Sequence, residues 1–157
     1  MSILIYAESS SEGKFKKVAF ELASYAKKVA ESLNTTVTAI TVNNTNAADL
    51  SKYGVDKVLR VSNDKLKNFT AKAYADIIKQ AAEKENVKLV LLSSTTDSLY
   101  MAPLVAVGLN ASFASNVVGL PVSMSPFQVK RNAFSNKAFA VTELETEVKV
   151  LSLAKNS

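Results

Sequence analysis

Cysteine and histidine are both absent from the 157 residues, and together the two absences remove much of the usual site chemistry. Without cysteine there is no disulfide, no thiolate nucleophile, no zinc finger and no iron–sulfur ligation. Without histidine there is no Ser-His-Asp triad, no imidazole acid–base pair and no ordinary haem ligand. Carboxylates, lysines, tyrosines and hydroxyls remain, a set that favours a binding or structural module over an enzyme. Glycine is scarce as well, limited to Gly13, Gly54, Gly108 and Gly119. Their spacing gives neither GxGxxG nor GxxxxGK[S/T], so no ready-made turn lets backbone approach a pyrophosphate. No window holds the ~18 apolar residues of a membrane span. Residues 1–7 form a short apolar run without a basic leader, so neither export nor membrane insertion is expected, and the default location is the cytoplasm.

What is present fits one domain over residues 1–157. Hydrophobic residues make up 48% of the chain and charged residues 21%. A chain of this size buries roughly 70% of its unfolded surface and needs no covalent staple. Net charge is +5, from 19 basic against 14 acidic residues. The lysines are scattered, several of them (Lys14, Lys16, Lys17, Lys27, Lys28) around one helical stretch, and Arg60 and Arg131 are the only arginines. No aromatic side chains interleave with a basic strand, so the surplus reads as solvated faces, and nucleic acid is not an expected partner.

Short β-rich runs alternate with helical periods through the first two thirds. Ile3–Ala7, Thr36–Val42, Lys57–Val61 and Val87–Leu92 read as buried strands. Apolar positions from Phe15 to Leu33 recur at helical spacing, with Asn34 placed to end that helix. Asn46–Tyr53 reads as a short helix capped by Asn46 and closed by Gly54 in a left-handed conformation. Residues 70–84 form a second long helix burying Tyr74, Ile77, Ile78 and Ala81. A small-residue helix follows the Ser93–Asp97 loop as far as Leu109, with Pro103 expected in its first turn. This alternation implies a three-layer Rossmann-like α/β fold with a mostly parallel sheet. The last third differs: 115–120, 127–132, 137–142 and 147–153 read as strands, with turns at Pro121, Ser125-Pro126 and Asn136. No helical period separates them, which predicts an antiparallel C-terminal extension or a small sheet alongside.

The one anion-site candidate is Ser93, Ser94, Thr95 and Thr96, between the most apolar strand and a helix. Hydroxyls and amides at a helix start can hold an anion, and the same residues can instead simply cap the helix. Glu143, Glu145 and Glu147 alternate as metal carboxylates can, but their position near the end fits a solvated hairpin, and no metal is expected. Tyr6, Tyr25, Tyr53, Tyr74 and Tyr100 are spread singly and read as packing residues. Val117, Val118, Leu120 and the stretch from Phe127 to Ala138 put apolar side chains where no later helix covers them.

The order of these segments resembles the alpha subunit of electron transfer flavoprotein. Ile3-Leu4-Ile5-Tyr6-Ala7-Glu8 is similar to that family's opening strand with its terminal glutamate. Leu50–Val58 resembles its short helix, glycine and strand, and Val90–Thr96 with Ala102–Ala106 continues the match. Ser115-Asn116-Val117-Val118-Gly119-Leu120, Val129-Lys130-Arg131 and Phe134-Ser135-Asn136-Lys137-Ala138 carry the most specific part. Asn116 stands where the family often has aspartate, and Asn136 replaces a turn glycine, a change that a left-handed backbone tolerates. The resemblance implies an amino-terminal scaffold domain with an adenine nucleotide alpha hydrolase-like fold and no catalytic residue. It implies FAD held in a carboxyl-terminal domain of the parent, which nothing after Val148–Leu153 resembles, and no cofactor-binding residue within this stretch. The implied partners are a beta subunit, met near Asn116, Arg131 and Phe134, and flavoprotein dehydrogenases that feed electrons towards the quinone pool. A free-standing nucleotide-binding module of the universal-stress type is the alternative.

Overall fold

The computed structural model describes residues 2–155. Strand β1 (Ser2–Tyr6) leads to helix α1 (Lys17–Leu33), β2 (Thr36–Val42), a short 3-10 turn (Ala47–Tyr53) and β3 (Lys57–Val61). Then come α2 (Ala71–Lys84), β4 (Leu89–Ser93) and α3 (Thr96–Leu109). Four strands close the chain: β5 (Ser112–Met124), β6 (Phe127–Ala133), β7 (Ala138–Glu143) and β8 (Lys149–Leu153). Asn34 and Gly54 take the left-handed conformations that end the first helix and the 3-10 turn. At Gly54 a Cβ would stand 2.6 Å from the Lys27 side chain, so only glycine fits there.

All eight strands join one sheet in the order β3-β2-β1-β4-β8-β5-β6-β7. Strands β3 to β5 pair in parallel, while β5-β6 and β6-β7 are antiparallel. Alternate residues of the parallel strands face two cores. Ile3, Ile5, Val37 and Leu91 pack under α1, and Leu4, Ile40, Val90 and Leu92 pack under α2 and α3. Both faces are therefore covered, as the unbroken apolar runs of β1 and β4 require.

Several expectations give way. Strand β8 is not part of the antiparallel extension but lies inside the sheet, parallel to both β4 and β5. Its Val150, Leu151 and Leu153 are buried on both faces, which only a covered interior position satisfies. Pro121 marks no turn. It sits within β5, where the register against β6 slips between Val118 and Ser123, a place where a missing amide costs little. Pro103 lies deep inside α3, because Thr95 caps the helix earlier. Leu99, whose carbonyl the missing amide would have bonded, and Pro103 itself are both exposed residues. Asn46 makes no side-chain cap. Ile77 is only half-buried, and Tyr53 and Tyr100 are exposed while Tyr6, Tyr25 and Tyr74 are core residues.

Candidate functional site

An open cleft of about 870 Å³ lies at the carboxyl ends of β1, β2 and β3. Its walls include Tyr6, Glu8, Arg60, Phe69, Tyr74 and Asp97. Open α/β sheets place ligands in this crevice, so its floor decides what the fold can hold. Glu8 lies two residues past the end of β1 and is buried; Thr95 Oγ1 donates to its Oε1 at 2.8 Å. The same Thr95 oxygen accepts from the Ser98 amide and so caps α3. The Glu8 Oε2 atom is enclosed and has no hydrogen-bond partner. Burial pushes the Glu8 carboxyl above the usual range and the Asp97 charge adds to this, against the Thr95 bond and the Lys16 charge. Burial, then Glu8, Tyr74 and Asp97, likewise raise the Tyr6 phenol. The floor is acidic and poorly solvated, an unfavourable seat for a phosphate.

In the loop after β1, where a phosphate-binding turn would lie, three amides are held by the loop's own carbonyls. Ser10 donates to the Lys14 carbonyl, Gly13 to Ser10, and Lys16 to Glu8, at 2.7, 3.0 and 3.0 Å. The loop is also bolted to the end of β2. Asn44 Nδ2 donates to Ser9 Oγ at 2.8 Å, and the Thr45 amide donates to the Gly13 carbonyl at 2.9 Å. Arg60 donates from Nη2 to the Asn44 carbonyl at 3.1 Å, which ties β3 into the same network.

The four hydroxyls singled out after β4 are not brought together. Ser93 and Ser94 line a cavity of about 30 Å³ against Val18, Leu22 and Leu153, on the α1 side. That is room for little more than one water. Thr95 turns the other way to Glu8, and Thr96 is exposed. The three alternating glutamates are also divided. Glu143 accepts from Gln128 Nε2 at 3.0 Å, Glu147 pairs with Lys88, and Leu144 between them is buried. The Lys88 ammonium holds the Glu147 carboxyl below its ordinary range.

At the far edge, strands β5 to β7 present a second surface. Asn116 is exposed and left-handed, with φ 54°, where the register of β5 on β8 shifts between Ala114 and Val117. Arg131 is half-buried; its Nε donates to the Ser115 carbonyl at 2.8 Å and Nη2 reaches Ser115 Oγ at 3.4 Å. It braces β6 to β5 rather than forming a surface ion pair. Phe134 stands at the β6–β7 turn, 82% exposed, with Ser135 and Asn136 also left-handed. Val117, Phe127 and Val129 are covered after all, within the core on the α1 side of the sheet. The apolar groups left bare are Leu120, Val122, Phe134, Phe139 and Val141. Lys130 Nζ sits 4.0 Å over the Phe139 ring. Sequence reasoning missed Phe139 and Val141 as surface groups, although their alternation with Ala138 and Ala140 was there to read. Nothing in the sequence signalled that Glu8 and Thr95 meet.

Among the described residues, no helix is long and apolar enough to cross a membrane. Residues 3–157 match the family model of the electron transfer flavoprotein domain. The chain is 31% identical over 93 residues to an electron transfer flavoprotein subunit alpha of Bacillus subtilis, covering 59% of this chain and 29% of that one. It is 29% identical over 143 residues to the alpha subunit of Thermoanaerobacterium thermosaccharolyticum, covering 88% and 43%. It is 36% identical over 98 residues to a lactate dehydrogenase (NAD(+),ferredoxin) subunit LctC of Acetobacterium woodii, covering 60% and 23%. The chain thus spans less than half the length of each relative. With the match running through every element from β1 to β8, the chain belongs to the electron transfer flavoprotein family, as an alpha-subunit amino-terminal domain.

Proposed function

We propose that residues 1–157 form a scaffold domain of a heterodimeric electron carrier. It pairs with a beta subunit, while the FAD of the complex is held outside these residues. The carrier takes electrons from flavoprotein dehydrogenases, acyl-CoA dehydrogenases of fatty acid oxidation among them, and passes them towards the quinone pool in the cytoplasm. Redox chemistry belongs to the flavin, and a scaffold contributes placement. The observation that carries this reading is the bare apolar surface of β5–β7, with Leu120, Phe134, Phe139 and Val141 exposed beside Asn116 and the Arg131 brace. A surface of that kind marks a contact with another protein. The amides of Ser10, Gly13 and Lys16 support the other half, since carbonyls of their own loop already hold them and they are not offered to a pyrophosphate.

Two measurements test it. The purified polypeptide mixed with excess FAD and desalted is expected to be colourless, without flavin fluorescence; stoichiometric yellow protein would overturn the scaffold assignment. Co-expressed with a beta subunit, Arg131→Ala and Phe139→Asp are expected to weaken the heterodimer, and unchanged affinity in both would remove the outer sheet as the contact. The cleft of about 870 Å³ keeps a nucleotide-binding module in view as a second reading. Calorimetric titration is expected to give no micromolar affinity for ATP or AMP, and finding it would favour the module.

A further inference from the structure

The sheet has two edges, and they are defended differently. The β3 edge carries exposed Lys57 and Arg60, and charged side chains keep an edge from pairing with another chain. The β7 edge, Ala138–Glu143, holds no lysine and no proline, and it pairs with β6 without a register shift. Alternate residues along a strand share one face, and here Phe139, Val141 and Glu143 share the exposed one. Lys137, next in the same alternation and just ahead of the strand, is exposed too. Lys130, on the inner neighbour β6, lies over the Phe139 ring yet leaves that residue 62% exposed. The other face of β7 bears Ala138, Ala140 and Thr142, small enough to let a further strand approach. Among the described residues, Lys137 and Glu143 enter no ion pair. Glu143 accepts from the neutral Gln128 amide at 3.0 Å, which leaves its charge uncompensated.

We propose that the β7 edge pairs with the β7 edge of a second copy of this chain, antiparallel about a two-fold axis at Ala140. The order of side chains along the edge chooses that occupant. With Ala140 opposite its twin, Phe139 meets Val141 of the other copy and Lys137 meets Glu143. Symmetry makes each pair occur twice. Aromatic with β-branched, and positive with negative, are the neighbours that stabilise antiparallel strands. Changing the register by two residues sets Phe139 against Glu143 in one direction and Lys137 against Val141 in the other. The register at Ala140 is therefore the one that satisfies both pairs. The contact also closes. Each β7 edge is consumed by the other, and the joined sheet ends in two β3 strands with their Lys57 and Arg60, so growth stops at two copies. The inference goes beyond the contact with a beta subunit and does not rest on it. A beta subunit seated on the same outer strands would exclude the second copy.

The full chain, without a beta subunit, is measured by sedimentation velocity over a concentration series. A monomer–dimer equilibrium is expected, and monomer throughout would overturn the proposal. Val141→Lys puts a charge at the centre of the edge. It is expected to weaken the dimer at least tenfold, with circular dichroism unchanged because Val141 is exposed. Lys137→Glu and Glu143→Lys are each expected to weaken it several-fold, and the two together to restore it, a recovery that damage to the fold would not give. Undiminished dimerisation in Val141→Lys, or no recovery in the double variant, would overturn the proposal. The register is read by crosslinking. The chain has no cysteine, so a single introduced thiol can form a disulfide only with its twin. Opposed Cα atoms of antiparallel strands stand about 4.5–5.5 Å apart, within the range a disulfide spans. On mild oxidation Ala140→Cys is expected to give covalent dimer at least tenfold faster than Thr142→Cys, which faces Ala138 in this register. Equal rates, or a faster reaction at Thr142→Cys, would overturn the two-fold at Ala140.

Discussion

The interior of the sheet and its β7 edge follow opposite rules. In β1 and β4 every residue is buried, and in β2 every residue after Thr36. Helices lie on both faces there, so nothing polar is needed between the apolar positions. Strand β7 alternates, but with its sense reversed: Phe139, Val141 and Glu143 are exposed, while Ala138, Ala140 and Thr142 are half-buried. A half-covered strand ordinarily turns its large apolar groups inward. Here small residues face in and large ones out, so the inner strands bury their large apolar groups and the outer strand leaves them bare. The difference lies in which residues occupy equivalent pleats, not in the backbone.

The largest test of this contrast is a matched pair of truncations. Leu91→Ala, at a fully buried position of β4, is expected to cost about 2–5 kcal/mol in urea unfolding. Phe139→Ser, on the outer end, is expected to cost less than about 1 kcal/mol, chiefly the lost Lys130 contact. Similar losses at both would erase the distinction. The next test concerns the buried acid beside the inner end. Burial raises the Glu8 pKa above its value in the unfolded chain, so the folded state holds that proton more tightly. Stability therefore falls as pH rises from the unfolded value, about 4.3, through the folded one. Glu8→Gln cannot titrate, and its melting temperature is expected to gain on the parent protein as pH goes from about 4 to about 7. A constant gap across that range would mean the carboxyl carries no burial penalty. The smallest effect sharpens the join between the ends. Tyr25 on α1 donates from its hydroxyl to the Gly119 carbonyl of β5 at 2.9 Å, and burial pushes its phenol up to about 12. Tyr25→Phe is expected to cost about 1 kcal/mol, measured by denaturant unfolding. No loss would leave α1 packing alone to hold the outer strands.

The inner end was legible because its signals are local. β2 and β3 fall on the residues read from the chain, since β-branched runs there are bounded by Asn34, Asn43 and Gly54. The slot of β8 was not legible. Its pairing joins Leu89 to Lys149 and Ser112 to Lys149, and no short-range pattern encodes a partner that distant. Pro121 misled for a related reason: a proline at a register slip looks like a turn until the neighbouring strand is known. The hydroxyl loop after β4 was read as a unit, but one strand terminus turned Ser93 and Ser94 to one face and Thr95 to the other. Arg131 was read as a contact residue from its place in the chain; the bond that its guanidinium makes to Ser115 joins strands too distant in sequence for that pairing to be read.

Strand β8 has a consequence for how the chain is made. Among the described residues it is the one strand bonded to both the β1–β4 group and the β5–β7 group, and of the eight strands it leaves the ribosome last. Until residues 149–153 emerge, each group ends in an unpaired strand edge, β4 on one side and β5 on the other. Exposed edges invite pairing with other chains, and distant pairings form slowly. Residues 149–153 therefore join the two groups of strands, and a chain halted before Lys149 is left with β4 and β5 as open edges.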